Sequence, residues 1–322
     1  MKARRLIVSA MVVTMAVAAA GCGSSSSGGS GVAGTSKGVI TALGSIFVNG
    51  VEYATTSSSV TVDKSSGTES ELKVGRVVTV KGSQSDDLHG IATTVEYKDN
   101  LEGPVDVTPT AGATQFQAFG QTISVNTTAA TVAAGKTVFQ GFTALTDLAA
   151  GSVVEVSGMP DANGIIQASY IEKKSSTLAT SSIELKGAIS TLNTTAKTFK
   201  INGLTVDYSV ASLNDLSSGI ANGLYVEVSG SGGNYTLGAS PTFKATKVEN
   251  DKEDANGTEG AKLSVEGFVT GFTQGNNTFK VNGQTVNTGT LSLSGIDMTK
   301  KIEVEGVLSS GVLMASRIKM SS

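Results

Sequence analysis

Alternating apolar residues flank an Asn-Gly pair at three places along the chain: TFKVNGQTV at Thr278 to Val286, TFKINGLTV at Thr198 to Val206 and, more loosely, SIFVNGVEY at Ser45 to Tyr53. A period of two predicts strands, and Asn-Gly between them supplies two residues that tolerate the positive φ of a tight I′ turn. Each stretch therefore predicts a β-hairpin. Closing a two-residue loop at Asn282-Gly283 pairs Val281 with Gln284 and Phe279 with Val286. Phe279, Val281 and Val286 then share a core face, while Lys280 and Thr285 share a wet one. In this reading Asn49, Gly50, Asn202, Gly203, Asn282 and Gly283 are structural turn positions.

The hairpin belongs to a larger repeat. A second apolar strand ending in Gly recurs as VVTVKG, VVEVSG, YVEVSG and IEVEG, closing at Gly82, Gly158, Gly230 and Gly306, with spacings of 76, 72 and 76 residues. A lead-in precedes it, clearest at Leu72 to Gly75 and Leu148 to Gly151, and a strand ending A-x-x-I or A-x-x-V follows, as at Ala92 to Val95 and Ala168 to Ile171. Each unit opens on a Gly-led strand, at Gly38, Gly103, Gly187 and Gly267. Five or six short strands per unit follow from these markers.

The second unit departs most. Its hairpin places Phe119 at the first turn position, a poor fit to positive φ, so a different turn is expected there. It also carries an insertion around Thr127 to Thr146. Periodicity lapses at Lys98 to Asn100, Lys173 to Ser182 and Asn250 to Lys262, which read as linkers. The resulting organisation is a leader over 1–21, a tether over 22–37, and repeats over 38–99, 100–174, 183–250 and 263–322. An acidic linker over 251–262 separates the last two.

The N-terminus changes the picture from fold to address. Met1 to Arg5 is basic, Leu6 to Ala20 is an apolar run of 15 residues, and small residues precede Cys22, the order of a secretion signal. The run is short for a membrane span. Cys22 is the only cysteine, so the chain forms no intramolecular disulfide. Ala19-Ala20-Gly21-Cys22 resembles the bacterial lipobox, and the resemblance implies cleavage before Cys22 and a diacylglycerol on its sulfur. In Gram-negative lipoproteins an Asp after that Cys often retains the protein in the inner membrane. Gly23 follows here, which by the same resemblance implies an outer-membrane, lipid-anchored protein of the cell envelope. Gly23 to Lys37 is a Gly/Ser tether with an end-to-end distance of roughly 20 Å.

Composition supports many short strands: 39 glycines, no tryptophan, and no long amphipathic helical pattern. Without Lys2, Arg4 and Arg5 of the leader, 21 basic residues face 27 acidic ones, a net charge of −6 that argues against a nucleic-acid partner.

Candidate chemistry is sparse. His89, the one histidine, stands near Asp86 and Asp87 in SDDLHG. A hydrolytic site is one reading and a polar hairpin loop is the other. Glu155, Glu227 and Glu303 recur between apolar strand residues and so point away from the barrel core, which reads as solvated strand faces rather than a glycosidase pair. Asp251 to Glu259 fails the calcium-loop pattern: with Gly257 at its glycine position, Lys252 would be the first ligand. Asp161 to Gly164 fails likewise, with Met159 as first ligand. No residue set names a metal or a cofactor.

The Gly-led strand, F-x-V/I-N-G hairpin, L-x-x-G lead-in, V-x-V-x-G strand and closing A-x-x-I together resemble the bacterial family known as domain of unknown function 5666, over residues 38 to 320. The resemblance implies small OB-like β-barrels of envelope lipoproteins and brings no catalytic residues. The expectation is an all-β chain of four tandem small antiparallel barrels on a lipid tether. It would be a non-enzymatic binding or spacer module, anchored in the membrane through Cys22 and facing an envelope protein or an oligosaccharide. An oligosaccharide-binding module is the first alternative and a hydrolase using His89 the second. Aromatics clustered on one barrel face would favour the former, a convergent pocket around His89 the latter.

Overall fold

The structure is a computed structural model that describes residues 31–321, apart from 218 and 274. The leader, Cys22 and the tether before Gly31 lie outside the described residues.

Unit 1 comprises β1 (Val32–Val39), β2 (Ile46–Val48), β3 (Val51–Ala54), a small hairpin of β4 (Ser59–Val62) and β5 (Ser65–Gly67), then β6 (Val77–Gln84) and β7 (His89–Tyr97). Unit 2 follows with β8 (Leu101–Pro104), β9 (Gln115–Ala118), β10 (Gln121–Val125), β11 (Val138–Gln140), β12 (Val153–Pro160) and β13 (Ile166–Ser175). Unit 3 contains β14 (Ser182–Ala188), β15 (Ser190–Asn193), β16 (Thr198–Ile201), β17 (Leu204–Asp207), β18 (Tyr225–Ser231), β19 (Tyr235–Thr236), β20 (Thr242–Lys244) and β21 (Lys247–Asn250). Unit 4 is the plainest: β22 (Lys262–Thr270), β23 (Thr278–Val281), β24 (Gln284–Asn287), β25 (Lys301–Ser309) and β26 (Val312–Met320).

In unit 4, β22 pairs antiparallel with both β23 and β25, β23 with β24, and β25 with β26, while β24 runs parallel to β26. Five strands thus close on themselves in the Greek-key manner of an OB-like barrel. The other units repeat the parallel contact, as β3–β7, β10–β13 and β17–β20. The insertion of unit 2 contributes β11, which adds to β13 in parallel.

Three repeat markers have mechanical reasons. Gly82, Gly158 and Gly306 stand opposite Ala92, Ala168 and Ala315 beside a β-bulge. A Cβ on those glycines would lie 2.0, 2.5 and 2.0 Å from the carbonyl oxygens of Ile91, Gln167 and Met314. The bulge pushes one backbone into the space a side chain would fill. The glycines of the first strands make room for the hairpin turn instead: a Cβ on Gly38 would meet Asn49, and one on Gly267 would meet Asn282.

The hairpin register is as predicted, with Phe279 opposite Val286, Val281 opposite Gln284, and Phe279, Val281 and Val286 buried while Lys280 is exposed. Asn49 and Gly50, like Asn282 and Gly283, have positive φ. Two turns correct the prediction. Phe119 and Gly120 have φ of 51° and 71°, so unit 2 keeps the same turn despite its phenylalanine. The ring is fully buried, edge-on to Tyr235 and Phe243 at 5.2 Å, and this burial offsets backbone strain of about 1 to 3 kcal/mol. Asn202 has φ of 48°, but Gly203 lies outside the left-handed region. It is drawn against the turn of unit 2, where its N–H donates to Gly120 O at 3.1 Å.

The units pair out of sequence order. β1 runs parallel to β22, from Gly34 opposite Lys262 to Lys37 opposite Val265, which joins units 1 and 4 in one sheet. β8 pairs with β14, which joins units 2 and 3. Residues 32–37, read as tether, are therefore strand on both sides, since β1 also pairs with β6. Units 2 and 3 share one hydrophobic core, whereas units 1 and 4 keep their own. Val39, Val77 and Met159 form a small apolar contact among units 1 and 2, with Phe268 of unit 4 against it.

A candidate site where the units converge

At the junction of the units lies a polar cavity of about 260 Å³, lined among others by Lys37, Lys98, Lys186, Tyr225, Asp251 and Asn282. The segment 251–261 closes one side of it. This stretch carries no strand, as expected of a linker, yet it is not simply solvated. Ala255 is fully buried in the core of unit 4, and Asp251 pairs with Lys98 at 3.1 Å. Its Oδ2 is buried without a hydrogen-bond partner. Glu253 packs on Gly283 so closely that a Cβ there would lie 2.3 Å from its Cγ.

Where the units meet, charged residues from different units are buried against one another. Glu155 of unit 2 accepts from Arg76 Nη2 and from the Tyr97 hydroxyl of unit 1, both at 2.6 Å, and from Lys174 Nζ at 2.9 Å. Arg76 lies 4.1 Å above the Tyr97 ring. Burial pushes the Glu155 carboxyl up, but Arg76, Tyr97 and Lys174 outweigh it and hold it below the usual carboxylate range. Lys186 of unit 3 reaches Asp99 at 2.6 Å, Glu184 at 2.7 Å, Asp63 of unit 1 at 3.5 Å and Glu227 at 3.8 Å. Burial opposes its charge, and the four carboxylates prevail, so its pKa is raised.

Asp63, Asp99 and Glu184 come close enough together to hold a metal ion. The Lys186 ammonium already supplies the positive charge there, which makes the cluster an ion-pair network between units. Lys37 is the exception among these cations. Its ammonium donates to the carbonyl oxygens of Glu253 and Asn282 rather than to a carboxylate, and burial draws its pKa down to about 8 despite Glu253 and Asp254 nearby.

This corrects the reading of Glu155, Glu227 and Glu303 as solvated. Their exposures are 3%, 6% and 5%. They do point away from their own barrels, but a neighbouring unit or strand occupies that side. Glu303 holds Ser264 Oγ at 2.8 Å and Lys319 at 3.0 Å. A signal was present in the chain: the same outward position carries Glu in three units, where a freely solvated face has no reason to repeat one residue. Arg76 and Lys186 gave no such signal, because the partners that tie them to another part of the chain, Glu155 and Asp99, lie 79 and 87 residues away in sequence.

The remaining candidates separate. His89 is exposed, its Nδ1 3.0 Å from Asp86, in a turn where Asp86 also accepts from the backbone N–H groups of Leu88 and His89. That is turn chemistry, and no second catalytic group converges on the ring among the described residues. The large aromatics Tyr53, Tyr97, Tyr170, Phe119, Phe199 and Phe243 fill barrel interiors and unit contacts, leaving them unavailable to stack on a sugar. Asn49 donates to Lys37 O and to Ser264 Oγ across the unit 1–unit 4 contact, Asn202 to Gln121 of unit 2, and Asn282 to Glu266 O. The turn asparagines therefore help join units or anchor the turn to its own first strand.

Fold and junction together define an all-β protein of four tandem units with buried ion pairs between them. The family described as Domain of unknown function (DUF5666) matches four times, over residues 37–96, 102–172, 186–241 and 266–319, and the chain belongs to that family. A search of curated proteins finds no match.

Proposed function

We propose that the chain is a non-enzymatic lipoprotein of the cell envelope. A diacylglycerol on Cys22 would hold it at the membrane, by the resemblance above the outer membrane, and its four barrels would act as a binding or spacer module. The leader, the small residues before a solitary cysteine and Gly23 support the address. One observation carries the module reading: buried charged side chains from different units are engaged with one another, Lys186 with four carboxylates and Glu155 with three donors. Such a network fixes barrels relative to one another, which suits a body that must present surfaces at set distances.

Growth with labelled palmitate tests the anchor. The mature protein should carry label and partition with membranes, because two or more acyl chains anchor stably where one binds marginally. Cys22→Ser should lose both properties. Label retained by that variant removes the anchor.

A further inference from the structure

One end of the body gathers exposed apolar side chains that the barrels do not use. Val32 at the start of β1, Leu88 in the β6–β7 turn, Ile91 on β7, and Val307 and Met314 on β25 and β26 are between 42% and 63% exposed. Strand pairing brings them to the same end of the sheet, with Val32, Val307 and Met314 on one face and Ile91 on the other. Val32 stands opposite Gln84, and Ala33 opposite Ser83, whose other neighbour is Ile91. Lys262 lies between Gly34 of β1 and Val307, which in turn faces Met314. Leu88 and Val307 border a groove of about 460 Å³ between units 1 and 4.

Exposed apolar residues scattered singly are ordinary, but a cluster at one end is a contact surface. Charges there are mixed, with Lys262, Arg317 and Lys319 beside Asp87, Glu303 and Glu305. A highly charged partner finds no complementary field on this end.

The chain enters the body at this same end. Nine residues lie between Cys22 and Val32, and an extended chain spans at most about 3.6 Å per residue, so Cys22 stays within roughly 36 Å of Val32. Membrane anchorage through Cys22, on which this inference rests, therefore keeps the apolar end beside the lipid headgroups. We infer that this end docks on the bilayer itself, with Val32, Leu88, Ile91, Val307 and Met314 entering the boundary between headgroups and acyl chains. The docking is apolar and indifferent to lipid charge. It orients the body so that the far end of β1, about 23 Å away along the strand, points from the membrane.

The test places an environment-sensitive fluorophore on Leu88→Cys, Val307→Cys or, as control, Ala133→Cys. Ala133 is exposed in the loop whose Val132 packs against Val39 at the far end of β1. Each protein is bound to neutral phosphatidylcholine vesicles containing a shallow spin-labelled lipid. One set uses the acylated protein. The other carries Cys22→Ser with an N-terminal hexahistidine tag held by nickel-chelating lipid, so docking is read whether or not Cys22 is acylated. Quenching at Leu88→Cys and Val307→Cys should exceed that at Ala133→Cys several-fold in the tag-held set, and persist in about 0.5 M salt, where surface electrostatics are screened. Adding Ile91→Ser and Met314→Ser, both at exposed positions, should reduce it. Equal quenching at all three sites in the tag-held set overturns docking, and labels that quench one another instead assign the end to a second copy and overturn it equally. If the tag-held set alone shows the difference, docking stands and the acyl anchor falls.

Discussion

Lys37 carries a buried positive charge with two carbonyl oxygens for partners, and that makes its protonation a stability term with a definite sign. Burial lowers its pKa to about 8, against 10.5 for an unperturbed lysine. Between these values the unfolded chain binds more protons than the folded one, so stability rises with pH across that window; below about pH 8 the full cost of the buried charge is present. The effect is on the order of 2 kcal/mol after allowance for the cavity's access to water. Urea midpoints at constant ionic strength should therefore climb from pH 8 to 10.5 in the wild type, while those of Lys37→Met stay flatter. Parallel profiles would mean that the ammonium is solvated. The tether reading concealed this residue, because GTSK beside a Gly/Ser run has the composition of a linker.

At the scale of the element, the hairpin is where sequence and structure agree best, and Gly283 is where they jointly make a demand. Its φ is 79°, and Glu253 fills the space its side chain would need. Gly283→Val therefore combines backbone strain of about 1 to 3 kcal/mol with a collision against the 251–261 segment. Lys280→Thr, on the exposed face of the same hairpin, should change stability by about 0.5 kcal/mol or less. Thermal melts of the two full-length variants should differ by several degrees, with Gly283→Val the lower; equal melts, or the reverse order, would overturn the register. Such local features were legible because alternation and Asn-Gly chemistry act over a few residues. Phe119 was misjudged since its turn conformation is held from outside, by Tyr235 of unit 3. Gly82, Gly158 and Gly306 were visible as a marker, while the bulge they accommodate depends on the partner strand and was not.

For the whole molecule, the repeat count and the all-β class were readable from periodicity, but the pairing of unit 1 with unit 4 was not. Residues that define a barrel face its own interior and alternate, whereas units 1 and 4 are joined through the backbone of β1, where the stretch Gly34 to Lys37 carries no apolar alternation. Ser36 is fully buried, with its hydroxyl 2.7 Å from that of Tyr53. Its strand is hydrogen-bonded on both sides, to β6 and to β22. A proline there removes a ladder donor, and the buried carbonyl left without its partner costs about 1 to 3 kcal/mol. If units 1 and 4 share one sheet, Ser36→Pro should accelerate amide exchange in β6, β22 and β25 together, while β12 and β18, in the shared core of units 2 and 3, keep more of their protection. Acceleration confined to β6 and its neighbours in unit 1, with β22 and β25 unchanged, would show that the barrels are joined by their linkers rather than by a common strand.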